Sequence, residues 1–168
     1  MAKPRLQESA GTNLLISLLI RYPELSSLRY NPKTGEMSFT ILITGEVLTA
    51  QQEEFRAFVA RYFAACRELD RNFAELGRIT HTMMEGVTML VYEQHVDVLT
   101  IMEVRLFTQL VVEFYQAAVV GEMLGLHEEE MEAQEEIIEH LLGQKETLRQ
   151  EASIVAYRDG GKVFVYNK

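Results

Sequence analysis

The densest group of residues that could do chemistry lies in the last third of the chain, where glutamates accompany two histidines. His127 is followed directly by three glutamates, and Glu136 precedes His140 by four residues. Imidazole nitrogens and carboxylate oxygens bind divalent cations, and residues four apart share one side of a helix. The remaining glutamates would surround the helix, however, and such a charge run is more typical of a solvated acidic surface. We therefore expect no bound metal ion.

A second group of reactive types is Glu93, His95 and Asp97, which contain the components of an acid–base pair. They fall in a connection between a strand and a helix, where polar residues are common in any case. His81 would need a carboxylate and a nucleophile beside it, and the sequence places neither there. The chain contains no GxGxxG, GxxxxGK[ST] or GxSxG pattern. We therefore expect a protein that is not an enzyme and that holds no cofactor.

The sulfur-containing residues and the apolar run indicate a cytoplasmic protein. Cys66 is the single cysteine, so no disulfide forms within the chain, and the residue is expected to be a small buried hydrophobe. The run 14–20 is too short to span a bilayer and lacks the small-residue cleavage site of a signal peptide. We expect Met83, Met84, Met89 and Met102 to fill gaps in the core rather than to form a promiscuous binding surface.

The net charge of −9 is concentrated in one segment. Residues 122–151 contain ten glutamates and only two basic residues, whereas the rest of the chain has fifteen acids and fourteen bases. This balance argues against binding to nucleic acid and against docking on anionic lipid. An acidic surface attracts a basic protein surface instead. The residues expected to contact such a partner are Glu128, Glu129, Glu132, Glu135, Glu136 and Glu139.

The element expected to organise the core is a helix from Leu48 to about Leu76. Its apolar residues recur every three or four positions, which predicts one buried stripe. The stripe comprises Phe55, Phe58, Val59, Tyr62, Phe63, Cys66, Leu69, Phe73 and Leu76. Thr49 and Gln52 have the spacing of a capping box, and Gly77 resembles a C-terminal stop.

The rest of the sequence predicts an α+β fold. A helix is expected from Thr12 to Arg21, strands at 25–30 and 37–44, and a hairpin at 78–83 and 87–92. A helix beginning with the capping pair Thr100 and Glu103, a short strand near Val120 and an acidic helix over 127–148 follow. A final hairpin turns at Asp159-Gly160 and is expected to be pinned in a sheet. The predicted architecture is a two-layer sandwich, with helices on one face of a largely antiparallel sheet.

Two descriptions of the central part of the chain fit the sequence. The order βαββαβ from Met37 to Val120 is that of ferredoxin-like domains. Alternatively, a strand–turn–strand–helix unit is repeated at an offset of 51 residues, which aligns Val47-Leu48-Thr49 with Val98-Leu99-Thr100. The expected organisation is a flexible tail over 1–11, a core domain over 12–121, and the acidic helix with the terminal hairpin over 122–168, packed on the core.

Three functions remain open at this point. The first is a cytosolic interaction or regulatory protein that forms a homo-oligomer or binds a basic protein, since catalytic motifs are lacking and an acidic helix is predicted. The second is a sensor of a small ligand, because antiparallel sheets with helices on one face often carry such sites. The third, an enzyme, requires a pocket that the sequence does not assemble.

Overall fold

The structure of the protein is a computed structural model that describes residues 9–121 and 126–167. The helices are α1 (Ala10–Arg21), α2 (Thr49–Leu69), α3 (Ile101–Tyr115), α4 (Glu128–Leu142) and α5 (Lys145–Arg149), with one 3-10 turn, Gln116–Ala118. The strands are β1 (Ser27–Asn31), β2 (Glu36–Thr44), β3 (Arg78–Met84), β4 (Val87–His95), β5 (Val119–Val120), β6 (Ile154–Asp159) and β7 (Lys162–Asn167).

All seven strands form one antiparallel sheet. Its order is β3-β4-β2-β1-β6-β7, and the short strand β5 pairs with β2 beyond the end of β1. The expected hairpins β1–β2, β3–β4 and β6–β7 are all present. The terminal hairpin joins the sheet through pairing of β6 with β1, so the prediction that it is pinned in a sheet is confirmed.

Helices cover one face of this sheet, which confirms the predicted α+β sandwich. That face carries the alternate residues Met37, Phe39, Ile41 and Ile43 of β2, all of them buried. The ring of Phe55 from α2 meets His81 on β3, and the ring of Phe107 from α3 stacks on Tyr92 of β4 with centroids 4.2 Å apart. On the C-terminal side of the sheet, Tyr30 donates a 2.7 Å hydrogen bond to the carbonyl of Leu148 in α5.

Helix α2 is shorter than the sequence predicts and buries less of its stripe. It ends at Leu69, where the Asp70 carboxylate accepts a hydrogen bond from the backbone N–H of Asn72. This Asx turn competes with the helical hydrogen bonds and ends the helix about two turns early. Leu69 is 91% exposed. The fully buried stripe residues are Phe55, Val59 and Phe63, so α2 contributes fewer buried residues than α1 or α3.

The predicted end residues of this segment also need correction. The N-cap is Leu48, and the Gln51 side chain accepts the Leu48 backbone N–H at 3.1 Å, so Thr49 is the first helical residue rather than the cap. Gly77 is not a helix stop. It precedes β3, and a side chain there would lie 2.1 Å from the carbonyl oxygen of Glu93. Glycine is therefore required at 77 by close backbone packing.

The two strand–turn–strand–helix units are related by an approximate two-fold axis. In the β2–β4 ladder Thr40 lies opposite Val91, which is the residue 51 positions later. The Gly45 N–H donates to the Gly86 carbonyl, and the Val96 N–H donates to the Gly35 carbonyl, both at 2.8 Å. A shift of 51 residues carries Gly45 onto Val96 and Gly35 onto Gly86. The axis therefore passes through the Thr40–Val91 pair.

The offset of 51 residues that relates the strands β2 and β4 does not hold for the helices α2 and α3. The N-caps of α2 and α3 are Leu48 and Thr100, which are 52 residues apart. Val47 is buried like Leu99, whereas Val98 is exposed. The identity of the two Val-Leu-Thr segments therefore does not mark equivalent positions. The turn of the first hairpin is also longer than that of the second, four residues against two.

The C-terminal segment packs on the rest of the chain but is divided differently from the prediction. The acidic helix ends at Leu142, and α5 is a separate short helix after Gly143. At the other end, α1 begins at Ala10, so residues 10 and 11 belong to the helix rather than to a tail. Its cap is Ser9, whose hydroxyl accepts the Thr12 N–H at 3.1 Å. Residues 1–8 of the predicted tail over 1–11 lie outside the described residues.

Candidate interaction surface on the acidic helix

Helix α4 is held to the body of the protein by an apolar side and by one carboxylate. Ile138, Leu141 and Leu142 are buried against the core. The Glu135 carboxylate reaches Arg21 of α1 at 2.8 Å and Arg105 of α3 at 2.7 Å. Because one carboxylate bridges two helices and is 20% exposed, it ties α4 to α1 and α3.

This arrangement separates Glu135 from the other five glutamates expected to contact a partner. Glu135 is engaged inside the chain, which the sequence alone did not indicate. The other five are exposed, and within residues 9–121 and 126–167 no ion pair involves them. We call these five the acidic surface: Glu128, Glu129, Glu132, Glu136 and Glu139. Their carboxylates keep their hydration and are available to a cationic partner.

A groove runs along this surface between α1 and α4. Its volume is about 700 Å³. Ile16 and Ile20 of α1 face Ile137 of α4 across it, and Glu136 lies on its rim. Ile137 is exposed although it is a large apolar residue. The acidic surface thus adjoins apolar side chains that can be covered by a partner.

The histidines of α4 do not assemble a metal centre with the glutamates. His140 lies 3.0 Å from the Gln144 amide nitrogen, and the Glu130 carboxylate accepts the backbone N–H of His127. In the described part of the chain, no three His, Cys, Asp or Glu side chains come together as a group that would hold a metal ion. Both histidines are exposed.

The acid–base group near His95 is divided among structural contacts. Glu93 pairs with Arg78 across the β3–β4 hairpin. Asp97 pairs with Arg149 of α5 at 2.9 Å, and its backbone N–H donates to the Nδ1 atom of His95. Asp97 is exposed, and its hydrogen bond from Arg149 lowers the pKa of the carboxyl. The His95 Nδ1 atom also lies 3.7 Å from the Asp97 carboxylate, so the structure brings these two residues together and leaves Glu93 with Arg78.

His81 lies in an aromatic environment. Its ring lies edge-on to Phe55 with centroids 5.8 Å apart, and its Nε2 atom lies 2.9 Å from the Tyr115 hydroxyl. Burial lowers the pKa of His81 to about 4, and nearby Arg56 acts in the same direction. The imidazole is therefore neutral at pH 7.

A buried polar cluster was missed by sequence reasoning. Glu103 is fully buried, and its carboxylate accepts hydrogen bonds from the Tyr92 hydroxyl and from the Gln94 amide. The Tyr92 hydroxyl in turn accepts the backbone N–H of Gly77 at 3.0 Å. Burial raises the pKa of Glu103, although its two hydrogen bonds oppose the shift. The cluster links α3 to the sheet and to the segment before β3.

The sequence contained a signal for this cluster. Glu103 was predicted to complete a capping box with Thr100. The Thr100 hydroxyl does accept the Glu103 N–H, at 3.2 Å, but the Glu103 carboxylate is turned into the core. Glu103 precedes Phe107 by four residues and so lies on the buried stripe of α3. A carboxylate on such a stripe predicts a buried hydrogen-bond partner.

A second cleft lies where the N-terminus of α3 approaches α4 and α5. Its volume is about 410 Å³, and Phe73, Leu99 and Met102 contribute apolar walls. Lys145 also lines the cleft. Its ammonium group donates hydrogen bonds to the carbonyls of Val96 and Leu99, at 2.6 and 3.2 Å. This cleft has the size and mixed lining of a small-molecule site.

The sulfur-containing residues are dispersed. Cys66 is half-buried on α2, and Met89 is half-buried on β4. Met83, Met84 and Met102 are exposed, so these three do not fill gaps in the core, contrary to the prediction. Their exposure gives the edge of the sheet at β3 and the mouth of the second cleft an apolar character.

Among the residues that the structure describes, no helix is both long and apolar enough to cross a lipid bilayer. The chain matches no family model, and neither a curated protein nor a solved structure is significantly similar to it.

Proposed function

We propose that the protein is a non-enzymatic interaction or regulatory protein whose acidic surface on α4 binds a basic protein. The observation that carries the proposal is the contrast within α4. One glutamate, Glu135, is ion-paired inside the chain, while the five of the acidic surface are exposed. Charged surfaces of one sign steer and orient oppositely charged partners.

The groove beside the acidic surface supports the same function. Protein interfaces combine an apolar centre with a charged rim. Ile16, Ile20 and Ile137 provide apolar contacts in the groove, and Glu136 provides charge at its edge. Glu132 and Glu129 lie four and seven residues before Glu136, on the same side of the helix. The expected compartment remains the cytoplasm.

The test compares capture of proteins by two charge-neutralised variants. In the first, the five glutamates of the acidic surface are replaced by glutamine. In the control, five exposed glutamates in and around α2 are replaced instead: Glu46, Glu53, Glu54, Glu68 and Glu75. Both variants lose the same charge. We expect the wild type and the control to capture a protein that the first variant loses.

Mass spectrometry of the captured proteins provides the measurement, and the capture is repeated at increasing salt concentration. Interactions between exposed charges weaken as salt is added, because the Debye length falls to about 8 Å at physiological ionic strength. The captured protein should therefore dissociate as the salt concentration rises. Capture of the same proteins by all three baits would show that the acidic surface is not the contact.

The second candidate function is a sensor of a small ligand, favoured by the cleft at the N-terminus of α3. A ligand that binds only the folded state raises its melting temperature by mass action. We expect one or more compounds of a metabolite library to stabilise the wild type. Met102 is exposed at the cleft, so Met102→Trp should fill it without disturbing the core and remove the shift. A shift that persists in this variant would place the ligand elsewhere.

We further infer that the core is a ferredoxin-like βαββαβ unit that arose by duplication of a ββα unit. The inference is supported by the local strand order β3-β4-β2-β5, with α2 and α3 as the two connections. The approximate two-fold axis through Thr40 and Val91 supports the duplication. Neither inference specifies a biochemical activity, because one fold serves many functions.

A further inference from the structure

The second face of the sheet is not covered like the first. We call it the open face. In the described part of the chain its side chains are exposed or half-exposed, with the exception of Thr40. Among the large apolar side chains on it, Phe164 is 40% and Tyr166 is 52% exposed. The Tyr157 ring stacks on Phe164 with centroids 5.3 Å apart, so the aromatic groups form one patch.

Two rows of the open face contain no charged residue. The first crosses six strands, and its members in order are Thr80, Val91, Thr40, Ser27, Tyr157 and Phe164. The second crosses four strands through Thr82, Met89, Leu42 and Val120. A solvated sheet face normally places charged residues among the polar ones, particularly lysine near edges. These two adjacent rows therefore form an uncharged band across the open face.

The charges on the open face cancel. Its basic residues are Arg29, Arg78 and Lys162, and its acidic residues are Glu36, Glu93 and Asp159. Three positive and three negative charges leave a balance of zero on a chain whose net charge is −9. Repulsion between two copies is therefore weakest when their open faces meet, because the excess acid lies elsewhere.

The size of the open face suits a dimer. Strands about 4.8 Å apart and residues spaced by about 3.3 Å give six strands of these lengths a projected area of roughly 650 Å². A stable interface buries about 800 Å² per partner, and the relief of the side chains adds to the projected area. Stacked sheets are a common packing mode, with the side chains of the two faces interdigitating.

We propose that the open face binds a second copy of this chain, so that two sheets pack face to face in a symmetric dimer. The same patch is then used by both copies, as a two-fold axis requires. The helical layers, with their acidic surfaces, lie on the outside of the dimer and stay available. The proposal does not depend on the function proposed for the acidic surface, and either can fail alone.

Light scattering after size-exclusion chromatography tests the dimer with two matched pairs of variants. Val91→Lys places a charge in the middle of the open face, and Tyr166→Lys places one near its margin. Their controls are Val112→Lys on α3 and Tyr62→Lys on α2, which make the same changes at exposed positions outside the face. Melting curves establish that each variant is folded.

We expect the wild type to have twice the 19.3 kDa mass of the chain across the micromolar range. Val91→Lys and Tyr166→Lys should weaken the dimer about tenfold or more, because each buries an unpaired charge. Both controls should remain dimeric. Should Val91→Lys fail to fold, Tyr166→Lys decides alone, since its side chain lies outside the core. A monomeric wild type overturns the proposal, as does a dimer that persists unchanged in both open-face variants.

Discussion

Replacing Phe55 with alanine is expected to lower the free energy of unfolding by about 3–5 kcal/mol, the range for truncating a buried aromatic residue. The Phe55 side chain is fully buried, and its ring lies against four other rings. It therefore joins α2 to α3 and to the sheet at His81. Truncation leaves a cavity at the point where three elements meet. Urea unfolding monitored by circular dichroism measures the loss.

Leu69→Ala is the matched control for this prediction. Leu69 belongs to the same predicted stripe of α2 but is 91% exposed at the end of the helix. Its truncation should change the free energy of unfolding by less than about 0.5 kcal/mol. Equal losses for the two variants would mean that the stripe is buried along its whole length, contrary to the observed end of α2.

Glu103→Leu is expected to destabilise the protein by about 1–3 kcal/mol, although it places an apolar side chain in an apolar core. The Glu103 carboxylate accepts a hydrogen bond from the buried Tyr92 hydroxyl. Leucine has a similar size but no acceptor, so the hydroxyl loses its bond without regaining water. Urea unfolding at pH 7 measures this effect. A gain in stability would indicate that burying the carboxylate costs more than leaving the Tyr92 hydroxyl without its hydrogen bond.

Glu103→Gln serves as the control and adds a dependence on pH. Glutamine keeps an acceptor for Tyr92 but carries no charge. Burial raises the pKa of Glu103 in the folded protein above its value of about 4.3 in the unfolded chain. The protonated Glu103 carboxyl therefore contributes its full stabilisation below about pH 4.3. This contribution is lost as the pH rises through the pKa of the folded state.

The stability of Glu103→Gln relative to wild type should therefore increase as the pH rises from about 4 toward neutrality. The measurement is the difference between the two free energies of unfolding at several pH values. A difference that decreases over this range would mean that hydrogen bonds to the ionised carboxylate outweigh its burial, and that the pKa of Glu103 is lowered.

The strands and hairpins could be predicted from local sequence because their signals are local. Glu85-Gly86 and Gly160-Gly161 adopt the positive φ angles that tight hairpin turns require, and alternating residues such as those of β2 mark a half-buried strand. The start of α3 at its cap, Thr100, followed from local sequence in the same way. These features depend on residues a few positions apart.

Features that depend on distant residues could not be predicted. Pairing of β6 with β1 joins segments more than a hundred residues apart, and no turn between them sets the register. The sequence could not distinguish Glu135 from the solvated glutamates beside it, because its partners, Arg21 and Arg105, lie on other helices. The early end of α2 was missed for a different reason. The Asp70 side chain offers the backbone an alternative hydrogen bond, which is a local signal for the end of a helix. The apolar pattern continues past Asp70 and predicted a longer helix.

The capture experiment with matched glutamine variants tests the central claim most directly, because it asks whether the position of the charge matters and not only its amount. The account predicts that a protein captured by the wild type is lost when the five glutamates of the acidic surface are neutralised. The same protein should be retained when the five control glutamates in and around α2 are neutralised instead. Equal loss in both variants would contradict it, since net charge alone would then explain the binding. Equal retention would contradict it as well, because the acidic surface would not be the contact.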